Sequence, residues 1–400
     1  MLSMHTSPLA QPGAGDSGGM NVYVRELASS LAQAGVDVDV FTRRTDTSTP
    51  EVVEVEPGLR VVHVDAGPLA LPKERLVDVV DEFTEGVYER IRDAEVDALH
   101  ANYWLSGLAG HQLKHRLELP LVSTFHTLAR VKAETGDPEP QRRADAEAEI
   151  IGCSDAITAS CIAEADDLVA HYGADPARIE LVPPGVLHAF FSPGDTTGAR
   201  LAVGIEPGRP VLLFVGRIQP LKALDVAVDA LAEVRQVHQD ATLVIVGGAS
   251  GAEGPGEVAR IHEQAAHLGI TDAIRFVEPQ PHHMLSTWYR AADVVVVPSR
   301  SESFGLVALE AAACGVPVVA ANVGGLRTLV DDGRTGFLVD GRDPSRYAAA
   351  VCRILGDPEL SASLSIEAAE TAASYRWSTT AARLRRVYTD ITARQLVTCT

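Results

Sequence analysis

Arg217 and Lys222 stand five residues apart in Val215-Gly216-Arg217-Ile218-Gln219-Pro220-Leu221-Lys222, directly after the apolar run Val211–Val215. Two cations on one loop can neutralise a diphosphate and stabilise it as a leaving group without a metal ion; solvated surface charges are the plainer reading. Glu302 and Glu310 are separated by seven residues, with Gly305 between them. Glu302 falls in a loop after Val294–Pro298, and Glu310 falls inside the apolar stretch Leu306–Ala313. A carboxylate among Leu306, Val307 and Leu309 needs a partner, because burying it unpaired is costly. Sugar hydroxyls would serve, and so would a structural arginine. A third cluster, Gly13-Ala14-Gly15-Asp16-Ser17-Gly18-Gly19-Met20-Asn21, precedes a helical pattern over 22–31. Glycines before a helix let backbone N–H groups approach phosphate oxygens, and the helix end adds partial positive charge. Gly13, Gly15 and Gly18 also spell G-x-G-x-x-G, with Asp37 or Asp39 near the acidic position. That fingerprint requires a strand directly before the glycines, however, and Ser7–Pro12 intervene. His5, His100 and His126 lie near strand ends or the glycine loop, where a histidine is either a structural hydrogen-bonding group or part of a site. His282-His283 falls in a loop. No Walker lysine, zinc-type spacing or Ser–His–Asp order is present.

These residues need elements to hold them. Short β-branched runs (Val36–Phe41, Arg60–Val64, Leu121–Phe125, Val211–Val215, Thr242–Val246, Val294–Pro298, Pro317–Ala320) alternate with helical patterns such as Leu76–Ile91, Leu224–Val234 and Leu306–Ala313. This alternation predicts α/β architecture, with parallel sheets covered by helices on both faces. Pro183-Pro184-Gly185 and Ser192-Pro193-Gly194 interrupt the pattern once, and a fresh series begins at Pro210. The expected division is 1–193 and 194–378, with a hinge near 191–195. A last helix over about 379–394, N-capped by Ser378, is expected to pack back on the first domain. Only Met1–Met4 are available for a strand before the glycine loop, which predicts a short strand or a chain lacking a few residues at its start.

Composition bounds the partners. The 400 residues carry 34 Lys+Arg against 54 Asp+Glu, a formal charge of −20 without long like-charge runs. That balance argues against broad nucleic-acid or anionic-membrane binding. No apolar stretch approaches the roughly 18 residues that cross a bilayer, and no basic-then-apolar leader opens the chain. The expectation is a cytoplasmic protein. Its five cysteines (Cys153, Cys161, Cys314, Cys352, Cys399) show no metal-type clustering and read as small buried apolar residues.

Taken together, the Arg217…Lys222 loop and Glu302-x7-Glu310 resemble the retaining GT-B glycosyltransferases that use nucleotide sugars. The block Ser3-Met4-His5-Thr6-Ser7-Pro8 with Gly15–Tyr23, Tyr103-Trp104-Leu105-Ser106-Gly107 and His126-Thr127-Leu128 is similar, more narrowly, to the D-inositol-3-phosphate glycosyltransferases that open mycothiol biosynthesis in actinobacteria. The resemblance implies two Rossmann-like doubly wound domains facing across a cleft. It implies transfer of N-acetylglucosamine from UDP-GlcNAc to 1D-myo-inositol 3-phosphate. Gln11, Pro12 and Gly19 would touch the donor, Arg217 and Lys222 its diphosphate, the backbone near Gln280 the uracil, Glu310 the ribose and Glu302 the sugar. The acceptor would meet His5, Asp16, Ser17, Gly18, Gly19, Met20 and Asn21, with its phosphate on Lys73, Tyr103, Thr127 and Arg143. Arg217, Lys222, Glu302 and His126 would form the catalytic set. No cofactor is needed for the chemistry. The resemblance also implies a homodimer and a structural magnesium ion on Tyr289, Arg290, Ala292 and Val316. Ala223 and Gln280 depart from the family's usual glycine and arginine.

No carboxylate is obviously placed for double displacement, so the expected mechanism is front-face attack, with the acceptor proton passing to the departing phosphate. A related transferase with another sugar-phosphate or lipid acceptor, a UDP-sugar epimerase, an NAD-dependent oxidoreductase and a non-catalytic UDP-sugar sensor are the alternatives.

Overall fold

The computed structural model describes every residue except Ala14, Asp16, Ala252 and Thr400. The chain divides into two compact units. One comprises Met1–Ala10, Met20–Gly185 and Trp377–Thr400, and the other Gln11–Gly19 and Val186–Arg376. The glycine-rich segment thus packs with the second unit, and the main division falls at Gly185, earlier than the loop chemistry around Pro193 suggests.

The first unit contains β1 (Val38–Arg43), β2 (Val52–Glu56), β3 (Leu59–Val64), β4 (Leu99–Asn102), β5 (Leu121–Thr124), β6 (Ala156–Ala159) and β7 (Ile179–Leu181). They lie in two hydrogen-bonded groups, β1-β3-β2 and β4-β5-β6-β7, parallel except for β2 against β3. Leu2 joins the groups by bridging Phe41 on one side and Ala101 on the other. Its amide donates to the His100 carbonyl at 2.8 Å, and Ser3 N–H donates to Phe41 at 2.9 Å. The short strand expected over Met1–Met4 is therefore a single bridging residue at the centre of the sheet. Helix Trp377–Thr392 covers this sheet, its Val387 and Ile391 packing on Val122 and Ala156. Tyr388 Oη lies 2.7 Å from His100 Nδ1, and Thr380 Oγ1 donates to the Pro183 carbonyl at 2.7 Å. Because the helix begins at Trp377, Ser378 lies inside its first turn and is not its N-cap.

The second unit holds β8 (Val211–Val215), β9 (Thr242–Val246), β10 (Ile274–Val277), β11 (Val294–Val297), β12 (Val318–Ala321) and β13 (Gly336–Val339), ordered β10-β9-β8-β11-β12-β13 and parallel throughout. Counted within the unit this is 3-2-1-4-5-6, the doubly wound order in which strand direction of travel reverses between β8 and β11. All four residues of both β11 and β12 are buried, which is why they read as unbroken apolar runs. Helices Leu224–Val237 and Pro344–Gly356 close one face, with Leu231, Val234, Tyr347 and Val351 in one core with Leu243, Ile245 and Val296. At the end of β9, a Cβ on Gly247 would stand 1.9 Å from the Gly216 carbonyl oxygen, so only glycine lets these two strand ends pass.

Candidate active site

In open α/β sheets ligands bind outside the carboxyl ends of the strands where the order reverses. In the second unit that point is flanked by the loop after β8, carrying Arg217 and Lys222, and the loop after β11, carrying Glu302. The two loops are tied by main chain, Arg300 N–H donating to Leu221 at 2.9 Å. Lys222 Nζ donates to Glu302 Oε2 at 2.5 Å, and Ser299 Oγ reaches the same oxygen at 3.4 Å. Arg217 Nη1 donates to Ser250 Oγ at 3.3 Å. Behind Glu302, a Cβ on Gly324 would meet the Glu302 carbonyl oxygen at 2.0 Å, so this glycine sets how closely the next loop supports the carboxylate. Ala223 follows Lys222 in the left-handed conformation, with φ +50°.

Glu310, on helix Leu306–Ala313, is 5% exposed. Its two oxygens meet His282 Nε2 at 2.6 Å and Tyr289 Oη at 2.8 Å. The required partner is thus neither an arginine nor a ligand alone but a histidine–tyrosine pair. Burial beside Glu310 drives the Tyr289 hydroxyl well above its ordinary pKa, keeping it a donor. Sequence reasoning missed His282; its signal is placement after β10, at the same carboxyl edge as the other loops. The Gln280 amide is exposed and turns onto the Glu278 carbonyl at 2.8 Å. Gln11 Nε2 donates to the Pro279 carbonyl at 2.7 Å, and a Cβ on Gly18 would stand 3.0 Å from Arg217 Nε. The segment holding Gln11, Pro12, Ser17, Gly18 and Gly19 therefore shares its unit with Arg217, while Asp16 lies outside the described residues.

The first unit gathers His5, Lys73, Tyr103, Thr127 and Arg143 around one ring. Lys73 Nζ lies 5.8 Å and Arg143 Cζ 4.9 Å from the Tyr103 ring centre, and the His5 ring centre is 4.4 Å away. Arg143 Nη2 donates to both the carbonyl and Oγ1 of Thr127 at 2.9 Å. The cationic set is more balanced than its residue types suggest. Arg143 also pairs with Glu147 and Glu139, each at 2.8 Å, and its side chain is only 2% exposed. Asn21 Nδ2 donates to Thr6 Oγ1 and the Ser7 carbonyl, both at 2.6 Å, and Met20 precedes it on helix Gly19–Gln33. His126 Nε2 is 3.0 Å from Asn102 Oδ1, and desolvation pushes its pKa down to about 3, so it is neutral at pH 7. His100, at the same sheet edge, is buried between Tyr388 and Thr124 hydroxyls and acts as a structural group.

Four non-glycine residues among those described have left-handed φ: Tyr103, Glu118, His126 and Ala223. Such conformations cost about 1–3 kcal/mol each and collect where a side chain must be aimed. Three of the four are candidate site residues or adjoin one. For the magnesium set, Tyr289 and Arg290 lie in the last turn of helix Leu285–Ala291 and Ala292 follows, its N–H donating to the Tyr289 carbonyl at 3.0 Å. Neutral oxygens of that kind suit a hard cation. Of the cysteines, Cys161 and Cys314 are buried and Cys352 is half-buried. Cys153 and Cys399 depart from the expected isolation, with Cα atoms 5.1 Å apart and two histidines beside them. Spacing hides this because the residues come from distant parts of the chain.

Comparison with known proteins gives the family. The family model "Glycosyl transferases group 1" matches residues 198–371, and "Glycosyl transferase 4-like domain" matches residues 18–185. The chain is 49% identical to a D-inositol 3-phosphate glycosyltransferase 2 of Catenulispora acidiphila, covering 97% of this chain and 93% of that one. It is 48% identical to a D-inositol 3-phosphate glycosyltransferase of Acidothermus cellulolyticus, covering 100% and 92%. Among solved structures, a sucrose-phosphate synthase of Thermosynechococcus elongatus superposes with a TM-score of 0.92 at 33% identity, covering 98% of each chain. With two doubly wound units, paired cations at the reversal point and this near full-length identity, the chain is an enzyme of the GT-B glycosyltransferases and belongs to the D-inositol 3-phosphate glycosyltransferase family.

Proposed function

We propose that the chain transfers N-acetylglucosamine from UDP-GlcNAc to 1D-myo-inositol 3-phosphate, with retention at the anomeric carbon. The observation that carries this reading is the Lys222–Glu302 contact at the strand-order reversal. A carboxylate already occupies the lysine where a diphosphate would sit. On donor binding the diphosphate takes over Lys222 and Arg217, and Glu302 turns to the hydroxyls of the sugar. Glu310 receives the ribose hydroxyls on lone pairs left by His282 and Tyr289, and the backbone near Gln280 faces uracil. Gln11, Pro12 and Gly19 add donor contacts.

Lys73, Tyr103 and Thr127 take the acceptor phosphate, with His5 and the segment from Asp16 to Asn21 against the ring. Arg143, buried between two carboxylates, acts by aiming Thr127. The names of the relatives support the acceptor, and the assembly around Tyr103 supports a phosphate on it. As the glycosidic bond to the diphosphate breaks, the acceptor hydroxyl oxygen bonds to the same face of the anomeric carbon. Its proton passes to the departing phosphate oxygen, so no protein nucleophile is required. Neutral His126 positions the sugar. The protein's contribution is orientation and charge stabilisation. A magnesium ion on the carbonyls of Tyr289, Arg290, Ala292 and Val316 would be structural, and a cytoplasmic homodimer is the working form. No described helix is long and apolar enough to cross a membrane.

The test is incubation with UDP-GlcNAc and inositol 3-phosphate, following UDP release, product mass and anomeric configuration. An α-linked adduct released with one UDP is expected. Isomerised UDP-sugar without acceptor consumption, or a β-linked product, would overturn the reading.

A further inference from the structure

His111 and His115 are four residues apart on helix Trp104–Leu117 and so share one face. Their rings meet edge to face with centres 4.8 Å apart. Cys153 ends helix Gln141–Cys153, and Cys399 lies in the tail beyond helix Trp377–Thr392. One ligand atom from each of these four residues lies within 4.8 Å of the others. His115 Nε2 stands 3.4 Å from Cys153 Sγ and 3.2 Å from Cys399 Sγ. A tetrahedral ion with bonds of about 2.0–2.3 Å to nitrogen and sulfur separates its ligands by roughly 3.3–3.8 Å.

A second observation comes from His111. Its Nε2 is buried without a hydrogen-bond partner among the described residues, while Nδ1 faces the Glu149 carboxylate at 3.4 Å. A buried unpartnered ring nitrogen is costly. An imidazole with a carboxylate behind one nitrogen and a free lone pair on the other has the orientation of a metal-binding histidine.

The three segments are also fastened independently of sulfur. Lys114, between the histidines, donates to the Cys153 carbonyl and to Asp155 Oδ2, both at 2.7 Å; Asp155 Oδ1 accepts from Val397 N–H at 2.7 Å. The Lys114 and Asp155 side chains are 2% and 5% exposed. This buried ion pair brings Cys399 to the two histidines.

We infer that His111, His115, Cys153 and Cys399 form a Cys2His2 site for a zinc-class transition-metal ion. Two thiolates balance a divalent charge, nitrogen and sulfur donors select zinc-class over hard cations, and four protein ligands leave no open position. The site is structural: it clips the C-terminal tail to helix Trp104–Leu117 and uses none of the candidate catalytic residues. The structure joins the same two cysteines as a disulfide, the alternative to a shared ion. A disulfide, however, gives no role to the converging imidazoles.

The experiment is metal analysis of the full chain purified under reducing conditions with zinc supplied, together with thiol counting after denaturation with a chelator. One zinc per chain and all five thiols are expected. Cys399→Ser and His111→Ala should each lose most of the metal, whereas Cys352→Ser should keep it. Replacement by cobalt should give a thiolate charge-transfer band that vanishes in Cys399→Ser. Three thiols and no zinc would show a disulfide and overturn the site. Wild-type chain without bound zinc, or zinc content unchanged in Cys399→Ser, would do the same.

Discussion

Lys73 and Arg143 look alike in sequence, as cations supplied to one phosphate, but their surroundings separate them. Lys73 is half-buried beside the Tyr103 ring. Arg143 is enclosed, holding the fully buried Glu147 and also Glu139. Removing one partner of a buried pair leaves an uncompensated charge and costs about 3–5 kcal/mol. Arg143→Ala should therefore lower the urea midpoint of unfolding sharply as well as weaken acceptor use. Lys73→Ala should leave that midpoint unchanged and raise the acceptor KM, with kcat and donor KM little altered. Equal unfolding midpoints in the two variants would show that Arg143 is not structurally paired in solution. Residue types at Arg217, Lys222, Glu302 and Glu310 were legible in the sequence because each breaks a strand-end loop or an apolar helix. Their partners were not, since His282 and Tyr289 reach Glu310 only through the fold.

Elements carry two further expectations. Helix Trp104–Leu117 ends at Glu118, exposed and left-handed at φ +54°. Glycine takes that conformation freely, so Glu118→Gly should stabilise the protein by roughly 0.5–1 kcal/mol, read as a rise in Tm without change in activity. Strand β4 carries buried His100, whose pKa desolvation pushes down to about 3, as it does for His126. The unfolded chain binds these protons near pH 6.5 and the native chain does not. Stability from each group is therefore complete above pH 6.5 and falls by about 1.4 kcal/mol per pH unit between 6.5 and 3. His100→Gln should remove about that much from the slope of unfolding free energy against pH; an unchanged slope would mean His100 is not held neutral. The elements themselves were unevenly legible. Strands β8, β9, β11 and β12 announce themselves because both faces are buried. Strands β4, Leu-His-Ala-Asn, and β6, Ala-Ile-Thr-Ala, are just as buried but too short and mixed to stand out.

At the scale of the whole molecule, a net charge of −20 coexists with two anionic substrates because the relevant charge is local. Even that locality needs correction. Neither Lys222 nor Arg143 is a bare cation: Lys222 already holds Glu302, so an incoming diphosphate exchanges one anion for another, and Arg143 stays enclosed between Glu139 and Glu147. Such exchange favours a ligand that brings more charge and more oxygens than a side chain does. On the acceptor side, Lys73 beside the Tyr103 ring is the cation offered to a phosphate, so the acceptor's phosphate, and not its ring, should dominate selection. A site built around a charged group rejects the analogue lacking it by about 10⁴-fold or more in kcat/KM, since its polar groups are left unsatisfied. The measurement is kcat/KM for inositol 3-phosphate against unphosphorylated inositol, with UDP-GlcNAc saturating, in the wild type and in Lys73→Ala. A large preference that shrinks markedly in Lys73→Ala is the predicted result; equal use of both acceptors by the wild type would contradict it.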